Sequence, residues 1–346
     1  MAINFDSFKE FDDHRMVSFI SDSKRKLKGF ISIHRGNTVI PSFGATRFVS
    51  YNNSNEALRD ALRLSKLMSY KSALAGLKYG GAKGVIILPQ KAYSKTAILK
   101  AYCHSLNYLH GHFITGADVG LSGKDVRYMR KQSEFIVGVK VDPVKYTALG
   151  MLGALEVSLN EVFGSKSIKG RTFTIQGVGK IGGAMVELLY KEAKKIIVAD
   201  VDKKRLTIIK KAFPKIILTT PQKIYTEKSD VFMPCALGHS LTSRTTAKLR
   251  SSIILGGANN QLANNTVGEL LYKLGILYAP DYVVNAGGLI SVVDEYETKN
   301  FDDARIKKRL RNIQVVLHSI LKESQRSHRA SNLVADQMAE KIFNSR

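Results

Sequence analysis

Apolar residues in the N-terminal third of the chain recur with two periods, and these predict a mixture of strands and helices. Residues 30–34 alternate between apolar and polar and predict a strand. Residues 56–68 carry apolar side chains at helical spacing, and the Asn/Ser run at 52–55 supplies helix caps. A second helix is predicted over about 94–110, followed by a short strand at 112–115. This part of the chain therefore has mixed α and β structure.

After about residue 147 the pattern changes to a regular alternation of strands and helices. The predicted strands are 172–176, 195–200, 231–233, 252–255 and 277–278. A turn and helix over 177–190 follow the first of them. Such alternation is typical of a parallel, doubly wound sheet. The last 40 residues are helical and amphipathic.

Length and composition indicate a two-domain globular chain. The chain has 346 residues, of which 44% are hydrophobic and 24% charged. Cys103 and Cys235 form no disulfide framework and no CxxC pair, so we expect no metal site. An apolar run of transmembrane length and a signal-peptide pattern are both missing, which favours a cytoplasmic protein that binds no membrane.

The net charge of +24 raises the question of a nucleic-acid partner. The basic residues are spread along the chain, and the densest groups are not interleaved with aromatic residues as in a base-stacking surface. This pattern favours a solvated basic surface over nucleic-acid binding.

Residues 76–85 hold four glycines around Lys83 and lead into an apolar strand at 85–88. The pattern predicts a glycine-rich turn. One interpretation is an ordinary turn with an exposed lysine. The other is a desolvated lysine that serves as an acid/base group or an anion anchor.

Residues 177–182 match the pattern G-x-G-x-x-G between a predicted strand and a predicted helix. Asp200 ends the next predicted strand, 23 positions after Gly177. In this context the pattern predicts a dinucleotide site with the pyrophosphate at the helix N-terminus. Asp200 favours NAD over NADP, although the basic run at 203–205 weakens that preference.

Lys71, Lys83 and Asp118 form a candidate catalytic group. Each alone has the bland interpretation of a surface charge. Two lysines close together repel, so the pKa of at least one should fall, and the amine could then act as a base near neutral pH. Beside a nicotinamide site, these residues suggest hydride chemistry on a small anion.

The ordered motifs resemble those of the glutamate, leucine, phenylalanine and valine dehydrogenases, and the closest likeness is to the last three. The resemblance covers about residues 8–340. Its segments are FGATR (43–47), MSYK (68–71), GGAKG (80–84), DVG (118–120), QGVG (176–179), PCALG (234–238), GANNQL (257–262) and APDYVVNAGG (279–288).

The resemblance implies an α/β chain of two domains with a deep cleft between them. Residues 1–146 would form a mixed α/β substrate domain, and residues 147–324 a Rossmann-like NAD-binding domain. The terminal helix, about 325–346, would pack back on the first domain. The implied activity is NAD-dependent oxidative deamination of an L-amino acid to its 2-oxo acid and ammonia, by a homo-oligomer.

The resemblance also assigns roles to residues. Lys71 would bind the substrate carboxylate, Lys83 would activate water, and Asp118 would relay protons. Asn260 would lie near the substrate. The cofactor residues would be Thr147, Gly177, Val178, Gly179, Lys180, Ile181, Gly182, Asp200, Val201, Ala236, Leu237, Asn259 and Asn285.

Side-chain specificity is expected to come from apolar residues and glycines. By position these are Phe43, Gly44, Gly116, Leu289 and Val292. A γ-carboxylate finds no cation among them, which disfavours glutamate and favours leucine, valine or isoleucine. The alternatives are a phenylalanine dehydrogenase, or a catalytically altered relative that acts as a binding protein.

Three features depart from the family pattern. The stretch 139–146 replaces a longer glycine/serine-rich loop, which could alter activity. Ala117 stands where an acidic residue often precedes the aspartate, and the strong basicity is atypical.

Overall fold

The computed structural model describes residues 7–35, 41–236 and 238–345. The strands are β1 (Met16–Asp22), β2 (Leu27–Ile33), β3 (Ser42–Val49), β4 (Gly80–Ile87), β5 (Phe113–Ile114), β6 (Thr172–Gln176), β7 (Lys195–Ala199), β8 (Ile217–Leu218), β9 (Lys228–Pro234), β10 (Arg250–Ile254) and β11 (Leu277–Tyr278). The helices are α1 (Ser54–Leu74), α2 (Lys95–Asn107), α3 (Gly123–Arg130), α4 (Pro143–Phe163), α5 (Lys180–Leu189), α6 (Lys203–Ala212), α7 (Ser243–Thr246), α8 (Asn265–Lys273), α9 (Asp281–Val284), α10 (Gly287–Thr298), α11 (Asp303–Ser327) and α12 (Ser331–Asn344).

The chain divides into two compact units. Unit 1 comprises Met1–Asp142, Ser291–Asp302 and Ala339–Arg346, and unit 2 comprises Pro143–Ile290 and Asp303–Met338. The functional domain boundaries stay a prediction. Among the described residues, no helix combines the length and apolar character that crossing a membrane requires.

Unit 1 contains a mixed sheet with β4 at its centre. The strand order is β1-β2-β4-β3-β5, and β4 runs antiparallel to β2 and parallel to β3. Helix α1 packs on one face, where Val85 joins a cluster with Leu58 and Leu62. On the other face Ile86 packs with Ile98 and Tyr102 of α2. Lys83 shares the α1 face with Val85 because side chains of a strand alternate.

Unit 2 contains a fully parallel sheet in the order β11-β10-β9-β6-β7-β8. From β8 this order places the unit's strands as third, second, first, fourth, fifth and sixth, which is the dinucleotide-binding order. The direction of winding reverses between β6 and β9. Ligands of such sheets bind at that point, beyond the carboxyl ends of the strands.

The predicted glycine-rich turn over 76–85 is mostly wrong. Gly76, with φ +71°, ends α1, but residues from Gly80 onward already belong to β4. A Cβ on Gly81 would lie 2.0 Å from the Ser69 nitrogen of α1, and one on Gly84 would lie 2.1 Å from the Tyr102 hydroxyl. These glycines let other elements approach the strand closely, a role that composition alone does not separate from turning.

The loop expected over 139–146 is shorter than predicted. Residues from Pro143 onward form the first turn of α4. Proline is well suited to the first helical position because its missing N–H would have no helical partner there. Only the residues up to Asp142 therefore form the connection.

Candidate active site

Lys83 and Asp118 form a buried ion pair in unit 1. The Lys83 Nζ atom donates to Asp118 Oδ2 at 2.6 Å, and Lys83 is only 4% exposed. Lys83 lies in the centre of β4, and Asp118 follows β5. An isolated bridge between Ala117 and Thr46 aligns this segment with β3. The sequence-predicted pair is thus in direct contact.

Arg47 also contacts the carboxylate of this ion pair, and the sequence analysis gave Arg47 no role. Its Nε atom donates to the same Asp118 oxygen at 3.1 Å. Its Nη1 atom donates to Asp60 Oδ2 at 2.8 Å. The sequence signal for Arg47 was its place at the end of the motif 43–47. Spacing along the chain does not reveal that its partners lie on other elements.

The surroundings shift both pKa values downward. Burial lowers the pKa of Lys83, the charge of Asp118 acts against that shift, and the charge of Arg47 adds to it. Burial alone would raise the pKa of Asp118, but the charges of Lys83 and Arg47 outweigh it and hold this pKa well below its usual range. The carboxylate is therefore ionised, and the lysine loses its proton more readily than an exposed lysine does.

Three predicted substrate residues lie on segments next to Lys83. Gly44 and Phe43 pair with residues 82 and 81 of β4. The Phe43 ring is 1% exposed and packs 4.6 Å from Tyr79 and 5.2 Å from Tyr296, centroid to centroid. The Gly116 carbonyl accepts from the Thr46 N–H at 2.9 Å. In unit 1 a cluster of three aromatic rings therefore lies next to β4, the strand that carries Lys83.

The other predicted substrate residues are distributed over both units. Lys71 is buried in the last turn of α1, the helix that packs on β4. Val292 belongs to the part of α10 in unit 1. Leu289 and Asn260 belong to unit 2, and Asn260 has a positive φ of 54°.

Glu295 holds the shortened connection in place, and sequence reasoning missed it as well. Its carboxylate accepts from the backbone N–H groups of Gly138, Val139 and Val141 at 3.2–3.3 Å. Glu295 is buried, so these three bonds offset the cost of removing its charge from water. The connection that departs from the family pattern is therefore a fixed part of unit 1.

The fingerprint segment of unit 2 forms a tight turn at the switch point of the sheet. Gly177 has φ +89°, and a Cβ there would lie 2.9 Å from the Ala236 Cα atom. A Cβ on Gly182 would lie 1.9 Å from the Gly177 carbonyl oxygen. No side chain in the described part of the structure caps the N-terminus of α5 at Gly179, so the N–H groups of its first turn can bind an anion.

The Asp200 carboxylate is hydrogen-bonded to the fingerprint turn. Its carboxylate accepts from the Val178 N–H at 2.8 Å and from the Asp202 N–H at 2.9 Å. This contact fixes the acidic group beside the turn, where a ribose would be bound. Val201 is 85% exposed next to it, and the Lys180 side chain is exposed as well.

A second cluster of predicted cofactor residues lies after β10 and β11. The Asn285 Nδ2 atom donates to Asn259 Oδ1 at 2.9 Å. Asn285 is buried, and its Oδ1 atom is an acceptor without a partner among the described residues. The predicted cofactor residue Thr147 lies on α4, and its hydroxyl donates to the Pro143 carbonyl at 2.8 Å. Leu237 lies outside the described residues.

These features fit NAD. Gly177 and Gly182 leave no room for a side chain, the N-terminus of α5 follows the turn at the switch point, Asp200 is bonded to the turn, and Asn285 offers an acceptor for an amide. Among the described residues, no group of three or more His, Cys, Asp or Glu side chains could hold a metal ion.

Comparison with known proteins gives the same family from both parts of the chain. The dimerisation domain of Glu/Leu/Phe/Val dehydrogenases matches residues 14–135, and the Glutamate/Leucine/Phenylalanine/Valine dehydrogenase domain matches residues 198–342.

Individual relatives differ in their substrates. The leucine dehydrogenase of Bacillus cereus is 34% identical over 98% of this chain and 93% of its own length. The phenylalanine dehydrogenase of Lysinibacillus sphaericus is 36% identical over 88% of this chain and 82% of its own. The crystal structure of L-tryptophan dehydrogenase from Nostoc punctiforme is similar with a TM-score of 0.79 and 36% identity, over 96% of each chain. The chain therefore belongs to the Glu/Leu/Phe/Val dehydrogenase family of NAD-dependent amino-acid dehydrogenases.

Proposed function

We propose that the chain catalyses the oxidative deamination of an apolar, branched-chain L-amino acid to its 2-oxo acid and ammonia. The observation that carries this proposal is the buried contact of 2.6 Å between Lys83 and Asp118. It combines a lysine of lowered pKa with a carboxylate held in its ionised form. Such a pair can accept and release protons during the reaction.

The chemistry assigns one task to each residue. Lys71 binds the α-carboxylate and orients the substrate. Bound at the fingerprint turn of unit 2, NAD would supply the acceptor for the hydride of Cα. Asp118 takes a proton from the substrate nitrogen, and Lys83 as a free amine removes a proton from the water that attacks the iminium carbon. Asp118 then returns its proton to the nitrogen of the carbinolamine, ammonia leaves, and the hydroxyl gives up its proton as the 2-oxo acid forms.

The substrate class follows from the residues of the side-chain subsite. Phe43, Gly44, Gly116, Leu289 and Val292 carry no charge, so a γ-carboxylate would be buried without a partner. In the proposed subsite Phe43 has the bulkiest side chain, while Gly116 has none. The loss of one methylene from a substrate is worth only about 1–3 kcal/mol, so leucine, valine and isoleucine should all be used.

An aromatic substrate is the second candidate. The relatives of similar identity named for phenylalanine and tryptophan support it. Phe43 and Tyr79 are buried in a ring cluster with the half-buried Tyr296, and Tyr296 would offer an edge-to-face contact to an aromatic side chain.

The chain is also proposed to act as a homo-oligomer. The match of residues 14–135 to a dimerisation domain supports this assembly. Light scattering of the purified protein measures its mass, and a monomer at assay concentration would contradict the proposal.

Assays with a set of amino acids test the function directly. The purified chain is incubated with L-leucine, L-valine, L-isoleucine, L-phenylalanine, L-tryptophan or L-glutamate, each with NAD and with NADP, and reduced nucleotide is followed by absorbance. We expect the highest kcat/KM with a branched-chain amino acid and NAD. A preference for phenylalanine or tryptophan would mean that the substrate is an aromatic amino acid and not a branched-chain one. No reduction with any apolar amino acid, together with salt-sensitive polyanion binding, would favour the altered relative.

A further inference from the structure

Arg47 bridges two carboxylates that lie on different elements of unit 1. Its guanidinium leaves β3 and donates to Asp118 Oδ2 at 3.1 Å and to Asp60 Oδ2 at 2.8 Å. The first of these atoms is also the acceptor of the Lys83 ammonium. One carboxylate oxygen of the proposed catalytic pair is thus shared by two cations.

Asp60 binds this guanidinium and is itself held in place by other side chains. It lies on α1 and accepts hydrogen bonds from three side chains. The Tyr51 hydroxyl donates to Oδ2 at 2.7 Å, and Arg63 donates to Oδ1 at 2.6 Å. The side chains of Arg47 and Asp60 are 18% and 13% exposed, so their ion pair is shielded from solvent.

We propose that Arg47 is a positioning residue of the reaction: anchored by Asp60, its guanidinium holds Asp118 Oδ2 against Lys83 and keeps a fixed positive charge beside that pair. Arginine suits this task because its planar fork can reach two carboxylates at once and stays charged at any working pH. A lysine at position 47 would offer a single point charge. The inference rests on the proposed roles of Lys83 and Asp118.

The sign of the effect follows from the charges around Lys83. Asp118 and Asp60 favour its protonated form, and Arg47 disfavours it. Arg63 and Tyr51 face the same Asp60 carboxylate, and α1 also carries the buried Lys71. Removing Arg47 leaves two carboxylates facing Lys83 with one cation fewer. The pKa of Lys83 should then rise, and the free amine should form only at higher pH.

The first test is the pH dependence of kcat/KM in Arg47→Gln. We expect its acidic limb to move to higher pH by about one unit, and its activity at pH 7 to fall about tenfold or more. Arg59→Gln is the matched control, because Arg59 is an exposed arginine on α1 next to Asp60 in sequence. Its pH profile should coincide with that of the unchanged protein. An unshifted profile in Arg47→Gln would overturn the proposal.

A second variant separates charge from geometry. Arg47→Lys keeps the positive charge and loses the bridge, so we expect kcat to fall about tenfold while the acidic limb moves by less than about half a unit. Full activity in Arg47→Lys would contradict a role for the two-carboxylate bridge. This variant also keeps the test valid if Arg47→Gln does not fold, which circular dichroism would show.

A titration without catalysis separates this inference from the proposed function. In protein labelled with [13C]lysine, the Lys83 signal is identified by its loss in Lys83→Met, and its shift is followed against pH. We expect a higher midpoint in Arg47→Gln than in the unchanged protein. Equal midpoints would sink the inference even if the enzyme is active, whereas a shifted midpoint without amino-acid turnover would mean that only the proposed function fails.

Discussion

Both units carry a glycine-rich segment that holds a lysine, yet the two segments have different backbones. In unit 1, Gly80, Gly81 and Gly84 lie inside the central strand β4, and Lys83 between them is buried. In unit 2, Gly177 adopts φ +89° in a turn, and Lys180 after it is exposed. Similar composition therefore produces a strand in one unit and a ligand-binding turn in the other.

The difference shows two separate reasons for using glycine. In β4 the missing side chains let α1 and Tyr102 approach the strand, which encloses the lysine in protein. In the fingerprint the positive φ of Gly177 bends the chain sharply, and the N-terminal N–H groups of α5 have no side-chain cap among the described residues and can bind a phosphate. Enclosure lowers the pKa of Lys83, whereas no comparable enclosure surrounds the Lys180 side chain in the described part of the chain.

The largest contrast should appear when each lysine is removed. Lys83→Ala should lower kcat/KM by about 10²–10⁴-fold, because it removes the proposed acid/base group. Steady-state assays with the preferred amino acid measure this loss.

Lys180→Ala and Lys100→Ala serve as controls for that loss. Lys180 is the exposed lysine of the fingerprint and should change the KM for NAD by less than about fivefold. Lys100 is exposed on α2 in unit 1 and should change nothing. A comparable fall in kcat/KM for all three variants would end the distinction between the two lysines.

Gly81→Ala should destabilise the protein strongly. The added Cβ would lie 2.0 Å from the Ser69 nitrogen and 2.5 Å from the Met68 carbonyl carbon, and backbone atoms can move only together with α1. The free energy of unfolding should fall by about 3 kcal/mol, as measured by urea denaturation followed by circular dichroism. Gly123→Ala in the same unit is the control, because its Cβ would meet only the Arg127 side chain at 3.5 Å. Equal stability of the two variants would contradict the close approach of α1.

Gly177→Ala should impair cofactor binding rather than folding of unit 1. Its positive φ is costly for alanine, and the Cβ would press on Ala236. We expect about a tenfold higher KM for NAD with an unchanged KM for the amino acid. Gly164→Ala shows the effect of backbone strain alone, since Gly164 has φ +67° and no atom of the described residues would lie within 4 Å of its Cβ. A similar KM for NAD in both variants would contradict a role of the fingerprint turn in binding NAD.

Mild acid should affect unit 1 before unit 2. Burial lowers the pKa of His34 to about 4, although its hydrogen bond to Asp12 acts against that shift. Because an unfolded histidine titrates near 6.5, the unfolded chain binds this proton first. Stability is complete above pH 6.5 and is lost as the pH falls toward 4, by about 1 kcal/mol at pH 5.5.

Urea denaturation at several pH values measures this dependence, and proteolysis with mass spectrometry identifies the unit that opens. His34→Gln should flatten the curve between pH 6.5 and 5. The three histidines of unit 2 are exposed: His239, His318 and His328. An unchanged slope in His34→Gln would contradict the prediction.

Hydrophobic periodicity predicted five of the six strands in the sheet of unit 2 and missed the short, exposed strand β8. The strands at 172–176 and 277–278 agree with β6 and β11 residue for residue. In unit 1 the strands β1 and β3 were missed. Strand β3 buries polar residues such as Ser42 and Thr46, which break its apolar pattern, and β1 buries only Ile20. Parallel strands enclosed on both faces carry a stronger apolar signal than strands of a mixed sheet.

The sequence by itself determined the family, the two-unit α/β architecture and the dinucleotide fingerprint, because these depend on local spacing and on ordered motifs. Only the tertiary structure decided that Lys83 lies inside a strand, that Arg47 and Asp60 support Asp118, and that Glu295 fixes the altered connection. Each of these contacts joins residues far apart in the chain or on separate elements. Burial and the sign of the neighbouring charge, which set the pKa of Lys83, arise only when the sheet and α1 bring those residues together.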